Sequence, residues 1–204
     1  RLVGSEMCIR DSIWTRLPLH MCSINVTLYP LFFGLRKKIR PFFSSTLFAY
    51  MYFFGSAGAV LAMVVTAPSD CLGPTIHLLN YNVFTYWLKH GLIFILPILF
   101  VILGFYQPKL IDIVKACVFL IGLLCIMELV NLLFSWFNEL NGGTGICNYF
   151  YTRTGKGTAV LEQFYNFLPY ELIYMFPLAI IAIPIFFIYY LPTVSYTHLT
   201  LPTN

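Results

Sequence analysis

Four side chains that could take part in chemistry lie within long apolar stretches of the sequence: His20, His90, Glu128 and Asn131. Polar and ionisable groups are costly inside a bilayer, so they usually face the interior of a helix bundle or a cavity. Imidazole titrates near neutral pH and can act as a general acid or base. The two histidines are therefore candidate catalytic residues, with Glu128 and Asn131 as candidate supporting residues.

All four candidates are predicted to lie in the outer half of the membrane. A helix rises about 1.5 Å per residue, which puts His20 about 5 Å and His90 about 10 Å below the outer ends of their helices. The same arithmetic puts Asn131 about 9 Å and Glu128 about 13 Å below the outer surface. This shared depth predicts a single polar site near one face of the membrane.

Helical spacing predicts which of these groups can meet. Glu128, Asn131 and Ser135 follow an i, i+3, i+7 pattern and share one helix face. Cys22 is two residues from His20, which turns it about 200° away on a regular helix. Cys22 and His20 therefore cannot form a nucleophile–base pair on one helix, although Cys22 could meet a group from another.

The elements that must position these residues are apolar stretches long enough to cross a hydrocarbon core of about 30 Å. Of the 204 residues, 59% are hydrophobic and 10% are charged, which excludes an ordinary soluble domain and a disordered chain. We predict an all-α transmembrane helix bundle with five visible spans, in a chain that has lost one or more preceding spans. The spans are 17–35, 42–66, 83–105, 110–137 and 171–191.

The connections between the spans predict their orientation. Four basic residues crowd the first connection at 36–40, and Lys109 and Lys115 flank the third. Cytoplasmic loops are enriched in Lys and Arg, so the first and third connections are predicted to be cytoplasmic. The second and fourth connections then face outward, and the carboxyl end is cytoplasmic.

The two ends of the sequence have an unusual relationship. The stretch 7–12 can be encoded by DNA whose reverse complement, read in another frame, translates as 194–198. Both strings resemble a transposase adapter used in shotgun sequencing, and foreign segments must be set aside before fold reasoning. We therefore interpret 1–12 and 194–204 as translated adapter, and 13–193 as a single integral membrane domain.

Other signals are weak. The basic cluster at 36–40 is interpreted as a topology signal, which predicts no nucleic-acid partner. One histidine per span and unclustered cysteines predict no metal site, and no cofactor motif is present. Cys71 and Cys147 both fall in predicted outward connections and could pair in an oxidising compartment.

Several motifs resemble the YwaF-type integral membrane proteins of bacteria. They are Leu-Pro-Leu-His-Met-Cys-Ser-Ile at 17–24, the small-residue run at 55–62, Lys-His-Gly-Leu at 89–92, Asn-Tyr at 148–149 and Pro-Tyr at 169–170. The resemblance covers nearly all of 13–193, in order. It implies a multi-pass protein of the bacterial plasma membrane, whose partners are membrane lipids.

A vertebrate relative of that family is an acyltransferase that moves polyunsaturated acyl chains onto ether phospholipids. Its proposed mechanism uses a cysteine immediately before the histidine of the corresponding motif, with a second histidine on a later span. The resemblance matches His20 and His90 to these histidines. Leu19 stands at the cysteine position, so the analogy supplies no nucleophile here.

Three functions remain open at this point. The first is a membrane-embedded enzyme acting on lipid acyl groups, with His20 and His90 as acid–base or orienting residues. The second is a small-solute transporter or channel whose path is lined by the same polar groups. The third is a non-enzymatic scaffold, because single polar residues in membranes often only bond neighbouring helices.

Overall fold

The computed structural model describes residues 17, 19–35, 41–64, 81–143, 146–156 and 159–200. The described residues form helices and their connections, with no strand among them, which confirms the predicted all-α class. The helices are α1 Met21–Leu35, α2 Pro41–Tyr50, α3 Ser56–Val64, α4 Tyr81–Ile102, α5 Leu110–Leu140, α6 Ala159–Phe167 and α7 Phe176–Thr200. A π-helical turn, Met51–Gly55, joins α2 to α3, and 3-10 turns occupy Tyr149–Tyr151 and Ile173–Met175.

Four helical stretches are long and apolar enough to cross a membrane. They are Phe43–Val64, Val83–Ile102, Leu110–Leu140 and Ile173–Leu191. These stretches correspond to the second to fifth predicted spans. The stretch through α2 and α3 is the most enclosed, with 56% of its apolar window buried against 12% for the last stretch. The exposed apolar surface of α4, α5 and α7 is therefore the surface that would contact lipid.

The first predicted span, 17–35, is shorter than expected. Helix α1 begins only at Met21, after His20, whose carbonyl accepts the first helical bond from the Ile24 amide at 3.0 Å. The Leu17 amide instead donates to the Tyr149 hydroxyl at 2.8 Å, so this segment is tied to another part of the chain. The 17–35 stretch thus forms a short apolar helix preceded by a bend, in which the Leu19 amide donates to the Leu17 carbonyl at 2.8 Å, and His20 does not lie on a helical face.

The small residues of α3 allow close packing with α1 and α4, as expected for membrane helices. Ala59 is buried, and a Cβ at Gly58 would meet the Met21 side chain at 3.8 Å. The Tyr86 hydroxyl of α4 donates to the Ala62 carbonyl at 2.7 Å. These contacts bring the amino-terminal turns of α1 and α4 together against α3.

The opposite end of the bundle holds a separate polar cluster. Asp112 is buried and accepts hydrogen bonds from the Lys115 ammonium at 2.7 Å and the Lys109 amide at 3.0 Å. The Tyr106 hydroxyl also donates to Asp112, and burial is the main cause that raises the pKa of this phenol. Ser45 of α2 lies 3.5 Å from the same carboxylate. This cluster fastens α2 to the start of α5.

The region predicted as a long fourth connection is more structured than the sequence suggested. Helix α5 continues to Leu140. Helix α6 then occupies part of the remaining stretch, and its apolar residues lie on one side of the helix, which is typical of a helix with one buried face.

Residues 1–12 and 201–204 lie outside the described residues, as do 36–40 and Cys71. The adapter interpretation and the Cys71–Cys147 pairing remain predictions, and α7 itself runs on to Thr200.

Candidate functional site

His90 meets a cysteine from another helix. Its side chain is 3% exposed, and its Nε2 lies 3.1 Å from the Cys22 Sγ of α1. Its Nδ1 lies 2.8 Å from the Tyr86 carbonyl oxygen, one turn earlier in α4. A carbonyl only accepts, so Nδ1 carries the ring proton and Nε2 presents its lone pair to the thiol. We call Cys22 and His90 the thiol–imidazole pair.

This geometry has a definite chemical meaning. A cysteine becomes a strong nucleophile when an adjacent base takes its proton, and the base works best when a third group fixes its orientation. Here the Cys22 S–H donates to Nε2 of His90, and the Tyr86 carbonyl fixes the ring. The pair therefore has the nucleophile, the base and the orienting group that covalent acyl chemistry requires.

Asn131 of α5 holds a loop rather than a histidine. It is fully buried, and its Nδ2 donates to the Tyr149 carbonyl and to the Thr152 hydroxyl, both at 2.8 Å. Its Oδ1 accepts from the Tyr149 amide, also at 2.8 Å. One buried amide thus makes three hydrogen bonds to the loop between α5 and α6.

Glu128 contacts the same loop one turn away. Its carboxylate accepts from the Thr152 hydroxyl at 2.5 Å and pairs with the Arg153 guanidinium at 3.2 Å. Ser135 lies on the same face and accepts from the Cys147 amide at 3.0 Å. Glu128, Asn131 and Ser135, together with residues 146–156, form what we call the α5–loop network.

The loop keeps an uncommon backbone shape. Phe150 and Tyr151 have φ values of 58° and 57°, in the left-handed region that bulky residues rarely adopt. Such conformations cost about 1–2 kcal/mol per residue and persist only where surrounding contacts impose them. The Tyr174 hydroxyl donates to the Tyr151 carbonyl, and the Leu172 amide donates to the Thr152 carbonyl at 2.6 Å. These bonds and the Asn131 amide hold the two strained residues.

His20 lies against this loop. Its side chain is exposed, and its ring centroid is 5.5 Å from that of Tyr149 and 5.8 Å from that of Tyr151. The Tyr149 hydroxyl accepts from the Leu17 amide, so the segment just before His20 is bonded to the same loop. Burial raises the pKa of the Tyr149 phenol, and the bond from Leu17 partly opposes that rise.

The four predicted residues thus come to one end of the bundle in two groups. His90 forms the thiol–imidazole pair, and it makes no hydrogen bond to Glu128 or Asn131 in the described part of the chain. His20 is two residues before Cys22 and touches the loop that Asn131 holds, so its segment joins the two groups.

The contact between Cys22 and His90 was not predicted from the sequence, and neither were the loop residues that bond to the α5 side chains. Cys22 and His20 do not share a regular helix, because α1 begins only at Met21, and helical spacing alone names no partner for Cys22 on α4. Within the described residues, no group of three potential metal ligands is present.

The fold and the site together define a multi-pass helical membrane protein with a polar centre near one end of its bundle. The family model described as the TMEM164 family matches residues 5–190. The chain therefore belongs to the TMEM164 family. Comparisons with curated proteins and with solved structures gave no significant match.

Proposed function

We propose that this protein is a membrane-embedded acyltransferase that moves acyl chains between lipids, with Cys22 as nucleophile and His90 as base. The observation that carries the proposal is the 3.1 Å contact between Cys22 Sγ and His90 Nε2, with Nδ1 held by a carbonyl. The apolar surface of the surrounding helices is suited to a substrate that arrives through the bilayer.

The reaction has two balanced steps. In the first, Nε2 of His90 takes the Cys22 proton while Sγ bonds to the ester carbonyl carbon of a donor lipid. The carbon–oxygen ester bond breaks, and the leaving alcohol takes the proton back from Nε2. In the second, the acceptor lipid's hydroxyl gives its proton to Nε2 and attacks the thioester carbon. The carbon–sulfur bond breaks, and the thiolate recovers the proton.

His20 is proposed as a second acid–base or orienting residue at the exposed end of the site. Its position beside Tyr149 and Tyr151, two residues before Cys22, supports this role. Glu128 and Asn131 are proposed as supporting residues because they fix the loop against which the His20 ring packs. They support the chemistry through the loop and not by contact with the thiol–imidazole pair.

The resemblance to YwaF-type proteins and to a vertebrate ether-phospholipid acyltransferase supports the same reaction class. The analogy failed only because Leu19 stands where the vertebrate relative has its cysteine. Cys22 lies three residues later, within the first turn of α1, and it contacts the second matched histidine directly. We further propose that the protein lies in a bacterial plasma membrane, with the site open towards the outer leaflet and the carboxyl end cytoplasmic.

The test uses the full-length protein in vesicles of phosphatidylcholine and lysophosphatidylethanolamine, with one polyunsaturated chain isotope-labelled. Mass spectrometry follows label transfer between the lipids and acylation of Cys22. We expect transfer by wild type, none by Cys22→Ala, and none by His90→Gln. Cys125→Ala is the matched control, because Cys125 is exposed on α5.

Elution in detergent checks that each variant is folded. Label transfer that persists in a folded Cys22→Ala variant would exclude the thiol mechanism. A folded wild type that neither transfers label nor becomes acylated would contradict the acyltransferase proposal.

A further inference from the structure

The π-helical turn Met51–Gly55 places two hydroxyls in the bundle core. Tyr50 and Ser56 flank this turn, and both are fully buried. Neither hydroxyl has a hydrogen-bond partner in the part of the chain that the structure describes. Buried polar groups are almost always satisfied, so such exceptions require an explanation. Helical irregularities of this kind occur frequently at functional sites.

A third such group lies on α1, one turn after the nucleophile. Asn25 is 1% exposed, and its Oδ1 has no hydrogen-bond partner among the described residues. Cys22 and Asn25 are three residues apart, so they occupy neighbouring positions on one helix face. The Asn25 amide faces Gly55, where an added Cβ would lie 3.5 Å from Oδ1. The π-helical turn therefore packs directly on the face of α1 that bears the thiol.

Tyr50 is the group that connects this turn with the thiol. Tyr50 is buried in the apolar cluster against which the partly buried Cys22 packs, and its hydroxyl has no hydrogen-bond partner among the described residues. The ring is held separately, with its centroid 5.0 Å from that of Phe119 on α5. A buried O–H donor thus belongs to the same packed cluster as the thiol that would attack a carbonyl carbon.

We propose that Tyr50 donates a hydrogen bond to the carbonyl oxygen of the acyl group as Cys22 attacks it. This inference rests on the proposed acyl transfer. When the Sγ–carbon bond forms, the carbonyl electron pair moves onto oxygen, and a fixed donor stabilises that charge without reorganising. The pair returns when the carbon–oxygen bond of the leaving alcohol breaks.

The test compares Tyr50→Phe with Tyr52→Phe in the full-length protein. Tyr50→Phe removes only the unpartnered hydroxyl and keeps the ring. Tyr52→Phe removes a hydroxyl within the π-helical turn, and with it the hydrogen bond that this hydroxyl donates to the Tyr189 carbonyl at 3.1 Å. The probe is a vesicle of phosphatidylcholine with isotope-labelled acyl carbonyls, and the readout is the rate of Cys22 acylation.

Removing one oxyanion donor lowers a rate by roughly 100-fold or more, which is the loss that we expect for Tyr50→Phe. Alkylation of Cys22 by iodoacetamide passes through no oxyanion, so its rate should be the same in Tyr50→Phe and wild type. We expect Tyr52→Phe to acylate within about threefold of wild type, since the lost bond to the Tyr189 carbonyl contributes only about 1 kcal/mol to stability.

A second readout does not depend on rate. Infrared spectra of the labelled thioester on Cys22 should show its carbonyl band at lower wavenumber in wild type than in Tyr50→Phe, because a hydrogen bond weakens the carbon–oxygen bond.

Three outcomes would overturn the inference. Equal acylation by Tyr50→Phe and wild type would exclude the hydroxyl as a donor. An equal fall in acylation and in alkylation would mean that Tyr50 only positions the thiol. A wild type that is alkylated but never acylated at Cys22 would remove the proposed function, and this inference with it.

Discussion

The thiol–imidazole pair and the α5–loop network lie at the same end of the bundle but differ in how their polar groups are satisfied. In the network, Asn131 makes three hydrogen bonds and both Glu128 carboxylate oxygens have partners. Beside the pair, the Tyr50 hydroxyl and Asn25 Oδ1 lack partners in the described part of the chain.

This difference in hydrogen bonding indicates different roles for the two regions. A fully satisfied buried network stabilises one conformation of the chain. Buried donors and acceptors that are left over are costly to the fold unless another molecule uses them. We therefore expect the α5–loop network to contribute mainly to stability, and the groups beside the pair to matter mainly for the proposed acyl transfer. Substitutions in the α5–loop network should mainly lower the free energy of unfolding. Substitutions beside the thiol–imidazole pair should mainly lower the rate of acyl transfer.

The largest effect is expected when the nucleophile is moved. The double variant Leu19→Cys with Cys22→Ala puts the thiol at the cysteine position of the vertebrate relative. Because residue 19 precedes α1 and packs with the side chains around Tyr149, we expect no rescue and a loss of at least about 1,000-fold in acyl transfer. Label transfer in vesicles measures this, with Leu19→Cys alone as control. Recovery of activity in the double variant would contradict the assignment of Cys22.

A large loss of stability is expected for Asn131→Leu. This change keeps the side-chain size but removes three buried hydrogen bonds, so the free energy of unfolding should fall by about 3 kcal/mol. Unfolding in a titration with denaturing detergent measures the fall. Leu132→Ala is a control on the exposed side of α5.

The rate at which maleimide labels Cys147 provides a second test of the Asn131→Leu variant. Burial raises the pKa of the Cys147 thiol, although Ser135 and Arg153 partly oppose the rise, so little thiolate is present at neutral pH. Maleimide should label Cys147 slowly in wild type and faster once Asn131→Leu releases the loop. Unchanged stability and labelling in Asn131→Leu would show that the loop is held by other contacts.

A smaller effect is expected for His20→Gln. If His20 assists proton transfer or orientation at the exposed end of the site, the turnover rate should fall by about tenfold, while Cys22 alkylation by iodoacetamide remains unchanged. His20→Phe keeps the ring contacts with Tyr149 and Tyr151 and separates packing from acid–base chemistry. Full activity of His20→Phe would assign His20 to packing alone.

The smallest effect is expected for the ion pair between Glu128 and Arg153. Both side chains are partly exposed, at 17% and 16%, so a double-mutant cycle of Glu128→Gln and Arg153→Met should give a coupling of about 1 kcal/mol or less. Acyl transfer should change little. A coupling well above this value, or a specific loss of activity in Glu128→Gln, would place Glu128 closer to the chemistry than the network suggests.

Much of the fold was predictable because bilayer thickness dictates the length of an apolar helix. The second to fifth spans followed from this rule. The first begins later than predicted, at Met21, because the Leu17 amide bonds to the Tyr149 hydroxyl, 132 residues away along the chain. The face shared by Glu128, Asn131 and Ser135 was predictable from helical spacing, but the loop that this face binds was not.

By itself, the sequence determined that this protein is a helical membrane protein and that a few polar residues lie within its apolar stretches. Both properties depend on local composition and periodicity. Only the tertiary structure decided that Cys22 contacts His90, because these residues are 68 positions apart on two different helices. Such a contact depends on how α1 and α4 rotate and pack against α3, and no spacing within one helix encodes that rotation.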